Sequence, residues 1–132
     1  MKEVLFHYGK TKLSHLFDEN ELKAVLTSSI EEYVPKAGET ELVEEALQNP
    51  VGSPSLSELS KGKEKVVIIA SDHTRPVPSK VIMPAMLREI RKGNPDADIT
   101  ILIATGCHRG TTKEELVDKF GEDIVRKENI QG

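Results

Sequence analysis

The sequence has very little cysteine and no long apolar run, and each absence excludes a class of protein. Cys107 is the single cysteine, so neither an internal disulfide nor a cysteine-based zinc knuckle can form. Such sparing use of cysteine is typical of a reducing compartment, and we expect a cytoplasmic protein. No segment approaches the ~20 apolar residues of a membrane span, and the first residues lack the apolar centre of a signal peptide. We therefore expect no membrane partner.

Positive charge is not in excess either. Lys and Arg number 18 against 22 Asp and Glu, which gives a net charge of −4. Proteins that hold nucleic acids concentrate Lys and Arg to neutralise phosphates, so we expect no nucleic-acid partner. A small anionic ligand needs only one or two local cations, and the charge balance does not argue against one.

Several familiar site motifs are absent. No Gly-x-Gly-x-x-Gly segment follows an apolar run, so an ordinary dinucleotide site has no support. Gly9-Lys10-Thr11 resembles the end of a P-loop, but Val4 stands where the first glycine of that motif belongs. The four histidines form no metal-binding pair at helical spacing, and we predict no metal ligand in this chain.

The first half of the chain gives weaker signals and is predicted to be a small mixed αβ segment over residues 1–50. Alternating polarity predicts a pair of strands, and helical spacing of apolar residues predicts two helices. The strands are expected at residues 3–8 and 15–17, with a turn near Gly9-Lys10, and the helices at residues 20–30, after a cap at Asp18 or Asn20, and from a cap at Thr40 to Asn49-Pro50. Pro, Gly and Ser then predict a loop over residues 51–64.

The second half has much stronger periodicity. Two runs rich in β-branched residues, at 65–70 and 99–104, are apolar on both faces, which is typical of buried parallel strands. Between them one helical face is apolar, and Gly93-Asn94-Pro95 is expected to end that helix. The residues of this face are Met83, Met86, Leu87 and Ile90.

A second helix is expected after the second run. Thr112 and Glu115 form a capping box, and Gly121 is the expected stop. Residues 65–126 therefore predict a βαβα core with a right-handed crossover, in an α/β fold with an open, mainly parallel sheet flanked by helices. The chain ends where a further strand is expected, so we expect residues 1–132 to be an incomplete, Rossmann-like N-terminal domain.

Polar side chains follow both apolar runs, at the sheet edge where ligands bind in such folds. Adjacent strands lie ~4.8 Å apart, so the two loops share one pocket if their strands are neighbours. The polar residues are Asp72, His73, Thr74 and Arg75 after the first run, and His108 and Arg109 after the second.

Each of these residues also has an ordinary structural interpretation. Asp72 and Thr74 are common in Asx-turns and helix caps, Arg75 can pair with Asp72 on the surface, and a lone histidine is usually just exposed. We favour the functional interpretation because the residues cluster at the binding edge. Arg75 offers a planar fork for a carboxylate or phosphate, and His108 can exchange a proton near neutral pH. Asp72 and the amides near Thr74 suit hydroxyl or phosphate oxygens.

These motifs closely resemble those of the nickel-dependent lactate racemase family. The first is Ser71-Asp72-His73-Thr74-Arg75-Pro76, and the second is Ile101-Leu102-Ile103-Ala104-Thr105-Gly106-Cys107-His108-Arg109. The resemblance is strongest over residues 65–126. One departure is Gly110, where the family often has proline after the His-Arg pair.

The resemblance implies an isomerase that racemises or epimerises 2-hydroxyacids with a nickel pincer nucleotide (Ni-pyridinium-3,5-bisthiocarboxylate mononucleotide). In this family the cofactor takes a hydride from C2 of the substrate and returns it to the other face, while histidines exchange the hydroxyl proton. The resemblance implies that His108 is one such acid/base and that Asp72, His73, Thr74 and Arg75 bind the cofactor, with Arg75 also binding the substrate.

The same resemblance implies that residues needed for the reaction lie in a missing C-terminal part of the protein. They are a lysine that anchors the cofactor, a histidine that binds nickel and a second catalytic histidine, so we expect this chain alone to be inactive. Two alternatives stay open from the sequence. The loops can hold a nucleotide or carboxylate in a non-catalytic α/β binding module, or the substrate can be another 2-hydroxyacid or a sugar acid.

Overall fold

A computed structural model describes residues 1–132, apart from the side chain of Glu31. The chain divides into two compact units, Met1–Pro35 and Lys36–Gly132. The first segment was expected to end at residue 50. The boundary between the two units instead follows Pro35, because the helix before residue 50 belongs to the second unit. Among the described residues, no helix is both long and apolar enough to cross a bilayer.

The first unit contains a β-hairpin. Strands β1 (Lys2–Tyr8) and β2 (Thr11–Phe17) pair antiparallel, in a register that sets Phe6 opposite Leu13. Gly9, in the turn between them, has a φ of +59°, a conformation that glycine adopts without steric cost. The predicted pair of strands is therefore confirmed, and the second strand begins earlier than expected.

The helix predicted over residues 20–30 is wrong. A turn at residues 19–21 is followed by irregular chain and then by a 3₁₀ helix at Ser29–Glu32. Asp18 accepts a hydrogen bond from the Asn20 backbone N–H at 2.9 Å, which closes a local turn rather than capping a helix. Val25 and Leu26 are exposed, so their apolar face lacks the burial from which most helices in proteins gain their stability.

The second unit is a three-stranded parallel sheet with helices. Its elements are α1 (Glu39–Gln48), α2 (Leu56–Ser60), β3 (Lys65–Ser71), α3 (Ser79–Gly93), β4 (Asp98–Ala104), α4 (Lys113–Phe120), α5 (Glu122–Lys127) and β5 (Asn129–Gln131). The strands are adjacent in the order β3-β4-β5, and both pairs are parallel. The predicted α/β fold, the parallel pairing of the two apolar runs and the further strand at the end are confirmed.

The core lies on one face of this sheet. Buried side chains alternate along the strands and pack against the helices, and the largest of them are Ile101, Ile90 and Phe120. On the other face Val67 and Ile69 are 60% and 72% exposed, so the expectation that both runs are buried on both faces is wrong for the described residues. Because the three strands are adjacent in sequence order, crossovers of one hand place the helices that connect them on the same side of the sheet.

The predicted start of α4 is confirmed. The Thr112 hydroxyl accepts from the Glu115 backbone N–H at 3.3 Å, and the Glu115 carboxylate accepts from the Thr112 N–H at 2.8 Å. Helix α1 begins after Gly38 rather than at a Thr40 cap, because Glu41 reaches back to the Gly38 N–H.

Helix α2 lies inside the segment 51–64, which we expected to be a loop. Ser55 caps it, and the Glu58 carboxylate accepts from the Ser55 backbone N–H at 3.1 Å. This Ser-x-x-Glu capping box is a local signal that the composition of the segment obscured.

Candidate functional site

The parallel register brings the two polar loops to one edge of the sheet. Ser71, the last residue of β3, lies opposite Ala104, the last residue of β4. The chain therefore leaves both strands side by side, about 4.8 Å apart. Residues from both loops line one open cleft, which confirms the expectation of a shared pocket.

Asp72 and His108 form the closest contact between the loops. Nδ1 of His108 lies 2.5 Å from Oδ2 of Asp72. Because an ionised carboxylate can only accept hydrogen bonds, Nδ1 carries the hydrogen and donates it. The other ring nitrogen, Nε2, has no hydrogen-bond partner in the described part of the chain, and the ring lines the cleft. This arrangement leaves Nε2 able to take or give a proton.

Asp72 is almost completely buried, with 1% of its surface exposed. Its Oδ1 accepts from the backbone N–H of Thr74 at 3.1 Å and from the Thr74 hydroxyl at 2.7 Å, so the Asx-turn of the ordinary structural interpretation is present. The hydrogen bond from the Thr74 hydroxyl, followed by that from His108, holds the pKa of Asp72 well below its usual value, although burial opposes this shift. The carboxylate is therefore ionised at neutral pH.

The turn that carries His108 depends on Gly106. The His108 backbone N–H donates to the Thr105 carbonyl at 2.9 Å, which closes a four-residue turn. Gly106, the second residue of this turn, has a φ of +58°, a region that residues with a side chain rarely occupy. The turn reverses the chain after β4, and this reversal allows the imidazole to reach Asp72.

Arg75 and Ser71 both line the cleft. Arg75 is exposed, and its guanidinium forms no ion pair with the described residues, so the alternative of a surface pair with Asp72 is wrong. The Ser71 hydroxyl is shielded from solvent, yet it has no hydrogen-bond partner in the described chain. A shielded hydroxyl without a hydrogen-bond partner costs free energy, and a ligand or water that bonds to it removes this cost. Sequence reasoning missed Ser71, although it directly precedes Asp72 in the motif.

The cleft has the size and composition of a small-molecule site. Its volume is about 390 Å³, and it lies where β3 and β4 end. Ile69, from the uncovered sheet face, gives it an apolar wall, while Arg75 and His108 supply polar groups. Sites for small ligands usually combine apolar walls with a few polar groups in this way.

His73 lies beside a second cavity. Its Nδ1 is 3.4 Å from the Thr111 hydroxyl and 3.6 Å from the Glu115 carboxylate. This cavity, of about 300 Å³, is also lined by Arg75 and Lys119. The loop after β3 therefore separates two cavities, with Arg75 bordering both.

Helix α4 fixes both loops through two side chains. The Glu115 carboxylate accepts hydrogen bonds from the Arg109 guanidinium at 2.6 and 2.9 Å, so Arg109 is engaged away from the cleft. These bonds, together with that from the Thr112 N–H, lower the pKa of Glu115 to about 2. Lys119 donates from Nζ to the Arg75 carbonyl at 3.2 Å. No local sequence signal marks Lys119, because this contact spans 44 residues.

Comparison with known proteins identifies the family of this chain. Residues 8–131 match the model of a family described as the lactate racemase N-terminal domain. The chain belongs to this lactate racemase family. It is 46% identical over 98% of its length to the lactate racemase of Thermoanaerobacterium thermosaccharolyticum. It is 50% identical over 93% of its length to the lactate racemase of Lactiplantibacillus plantarum.

The fold of this chain is similar to that of a solved lactate racemase. The structure of the lactate racemase apoprotein from Thermoanaerobacterium thermosaccharolyticum aligns with 98% of this chain, with a TM-score of 0.88 and 45% identity. The family resemblance that the two motifs indicate is therefore confirmed. The chain spans about 30% of the length of these lactate racemases.

Proposed function

We propose that this chain is the amino-terminal part of a racemase or epimerase that acts on 2-hydroxyacids of the lactate type. Its membership of the lactate racemase family supports this proposal. The observation that carries it is the imidazole of His108, which Asp72 holds at Nδ1 and which is free at Nε2, beside the cleft. A cytoplasmic location is part of the proposal, since Cys107 is a free and exposed thiol.

The chemistry needs a base near the substrate hydroxyl. When the C2–H bond of a 2-hydroxyacid breaks with its electron pair leaving as hydride, the C2=O bond forms, and the hydroxyl proton must leave at nearly the same time. Nε2 of His108 takes that proton and becomes part of an imidazolium, so that no protonated carbonyl has to form. When the hydride returns to the ketoacid, the imidazolium gives the proton back to the oxygen.

Arg75 suits the carboxylate of the substrate. Its guanidinium forms no ion pair with the described residues, and it lines the same cleft as His108. A planar guanidinium binds a carboxylate through two parallel hydrogen bonds. The carboxylate and hydroxyl of a 2-hydroxyacid sit on adjacent carbons, so one cation and one base in a single cleft recognise both groups.

The cofactor in this proposal is a nickel pincer nucleotide, and the loop after β3 fits its nucleotide part. The shielded hydroxyl of Ser71 lacks a partner in the described chain, and the loop borders two cavities of about 390 and 300 Å³. We assign His73, Thr74 and Arg75 to its hydroxyl and phosphate oxygens. Asp72, also expected to bind the cofactor, has both oxygens engaged within the chain and is assigned to holding the loop. When bound, the cofactor supplies the acceptor for the hydride from C2.

The described residues provide no set of ligands for nickel. Over the described part of the chain, no group of three or more His, Cys, Asp or Glu side chains is placed to hold a metal ion. The nickel ligand, the cofactor anchor and the second acid/base therefore belong, in this proposal, to the part of the relatives' length that the chain does not span. The chain alone is then inactive.

Replacing His108 in the full-length, cofactor-loaded protein tests the proposal. His108→Ala should lower lactate turnover in both directions by ~100-fold or more, the usual effect of losing a positioned acid/base. Cofactor loading, followed by mass spectrometry and nickel content, should persist because the anchor lies elsewhere. His7→Ala changes an exposed histidine of the hairpin and is the matched control. Near-normal racemisation by the His108 variant would show that this histidine is structural.

A further inference from the structure

The hydrogen bonds of Asp72 are directed within the chain. Oδ1 takes both hydrogen bonds from Thr74, at 3.1 and 2.7 Å, and Oδ2 takes that from His108 at 2.5 Å. The residue is 1% exposed, although His108 beside it is 45% exposed at its side chain. A carboxylate with both oxygens engaged and almost no accessible surface has little to offer a ligand directly.

We infer that Asp72 is a positioning residue, which fixes the tautomer and the orientation of the His108 ring so that Nε2 is the basic nitrogen at the cleft. The inference rests on the proposed role of His108 as acid/base. A neutral imidazole carries one hydrogen, on either Nδ1 or Nε2, and only the unprotonated nitrogen can act as a base. The buried carboxylate accepts from Nδ1–H, and this selects the tautomer with an unprotonated Nε2.

Thr74 determines what an amide at position 72 would do. Its backbone N–H and its hydroxyl both reach Oδ1, so in Asp72→Asn the amide oxygen is drawn toward these two donors. The amide NH₂ would then face Nδ1 of His108 and donate to it. The ring hydrogen would move to Nε2, and the nitrogen at the cleft would no longer be basic.

The tautomer can be measured in the 132-residue chain itself, without cofactor or substrate. Nitrogen-15 labelling of the histidine rings gives distinct chemical shifts and two-bond couplings for the two neutral tautomers, and His108→Gln identifies the signals of His108. We expect Nδ1–H in the unmodified chain, a change to Nε2–H in Asp72→Asn, and no change in Asp96→Asn, a matched substitution at an exposed carboxylate. Finding Nε2–H in the unmodified chain overturns the inference, and this measurement stands even if Asp72→Asn fails to fold.

A second measurement separates this inference from the proposed function. In the full-length, cofactor-loaded protein, Asp72→Asn should lower kcat for lactate, by at most the loss expected for His108→Ala, which is ~100-fold or more. KM should change little, because both oxygens of the carboxylate are engaged within the chain and almost none of its surface is accessible to substrate. If the tautomer changes and turnover does not, the acid/base role of His108 is wrong. If the tautomer does not change in folded Asp72→Asn, the positioning role of Asp72 is wrong, whatever the turnover.

Discussion

Gly93 provides a direct test of how the second unit is packed. It is the last residue of α3, and a Cβ added to it would lie 1.9 Å from the Ser57 carbonyl oxygen and 2.3 Å from the Ser60 hydroxyl oxygen. Ordinary contacts begin near 3.4 Å, so α2 would have to retreat by about 1.5 Å. The Ser57 oxygen belongs to the backbone, so no side-chain rotation can relieve this clash.

The substitution Gly93→Ala should lower the free energy of unfolding by ~1–3 kcal/mol. Overpacking of this kind costs ~1–3 kcal/mol. Displacing α2 also weakens the buried hydrogen bond from the Ser60 hydroxyl to the Ile90 carbonyl, 3.0 Å long, which adds a loss of about 1 kcal/mol. Alanine has the better helix propensity, but this returns at most about 1 kcal/mol. The loss should therefore exceed the gain.

Urea unfolding of the 132-residue chain, followed by circular dichroism, measures this difference. Gly110→Ala is the matched control, because an added Cβ there has no heavy atom within 4 Å and no positive φ to strain it. The midpoint should fall for Gly93→Ala and change little for Gly110→Ala. A Gly93→Ala chain as stable as the original would refute the close approach of α2 and α3 on which the reasoning depends.

Three further predictions concern the site and the extent of the chain. Arg75→Lys in the full-length protein should raise KM for lactate, or weaken cofactor retention, by ~10-fold, because a point charge replaces a planar fork. If neither quantity changes, Arg75 binds neither the substrate nor the cofactor. Since the pKa of Glu115 is lowered to about 2, its stabilising effect is complete above its ordinary value of 4.5 and is lost as the pH falls toward 2. The difference in free energy of unfolding between Glu115→Gln and the original chain should shrink over that interval. The control Glu21→Gln should show no such change with pH. A difference for Glu115→Gln that is independent of pH would contradict the prediction. The 132-residue chain should bind nickel weakly in calorimetry and racemise no lactate, and racemisation by the pure chain would overturn the need for a further part.

The order of elements in the second unit could be predicted because its signals are local. The two β-branched runs, the helical stripe between them and the capping box at Thr112 and Glu115 each lie within one short segment. Apolar residues of the two runs and of the stripe are also buried in the core, and this burial stabilises the same strands and helix. The helix expected over residues 20–30 had apolar spacing as its main support, and Val25 and Leu26 are exposed in the fold that forms.

The candidate site could be predicted as a set of residues but not as a geometry. Asp72, Arg75 and His108 line one cleft as expected, and Thr74 contacts Asp72 and His108 beside it. His73 borders the neighbouring cavity, and Arg109 is engaged by Glu115. The pairing of Asp72 with His108 instead of Arg75 joins residues 36 positions apart, so no local pattern reveals it.

The sequence by itself determined which chemical groups stand at the ends of β3 and β4, because each motif directly follows its strand. Only the tertiary structure decided which of those groups touch. Strand pairing sets Ser71 opposite Ala104, and the turn at Gly106 then directs His108 back toward Asp72. Hydrogen bonds form only when atoms approach within about 3 Å, and for groups on separate strands that distance is fixed by the pairing of the sheet and not by the spacing of the motifs.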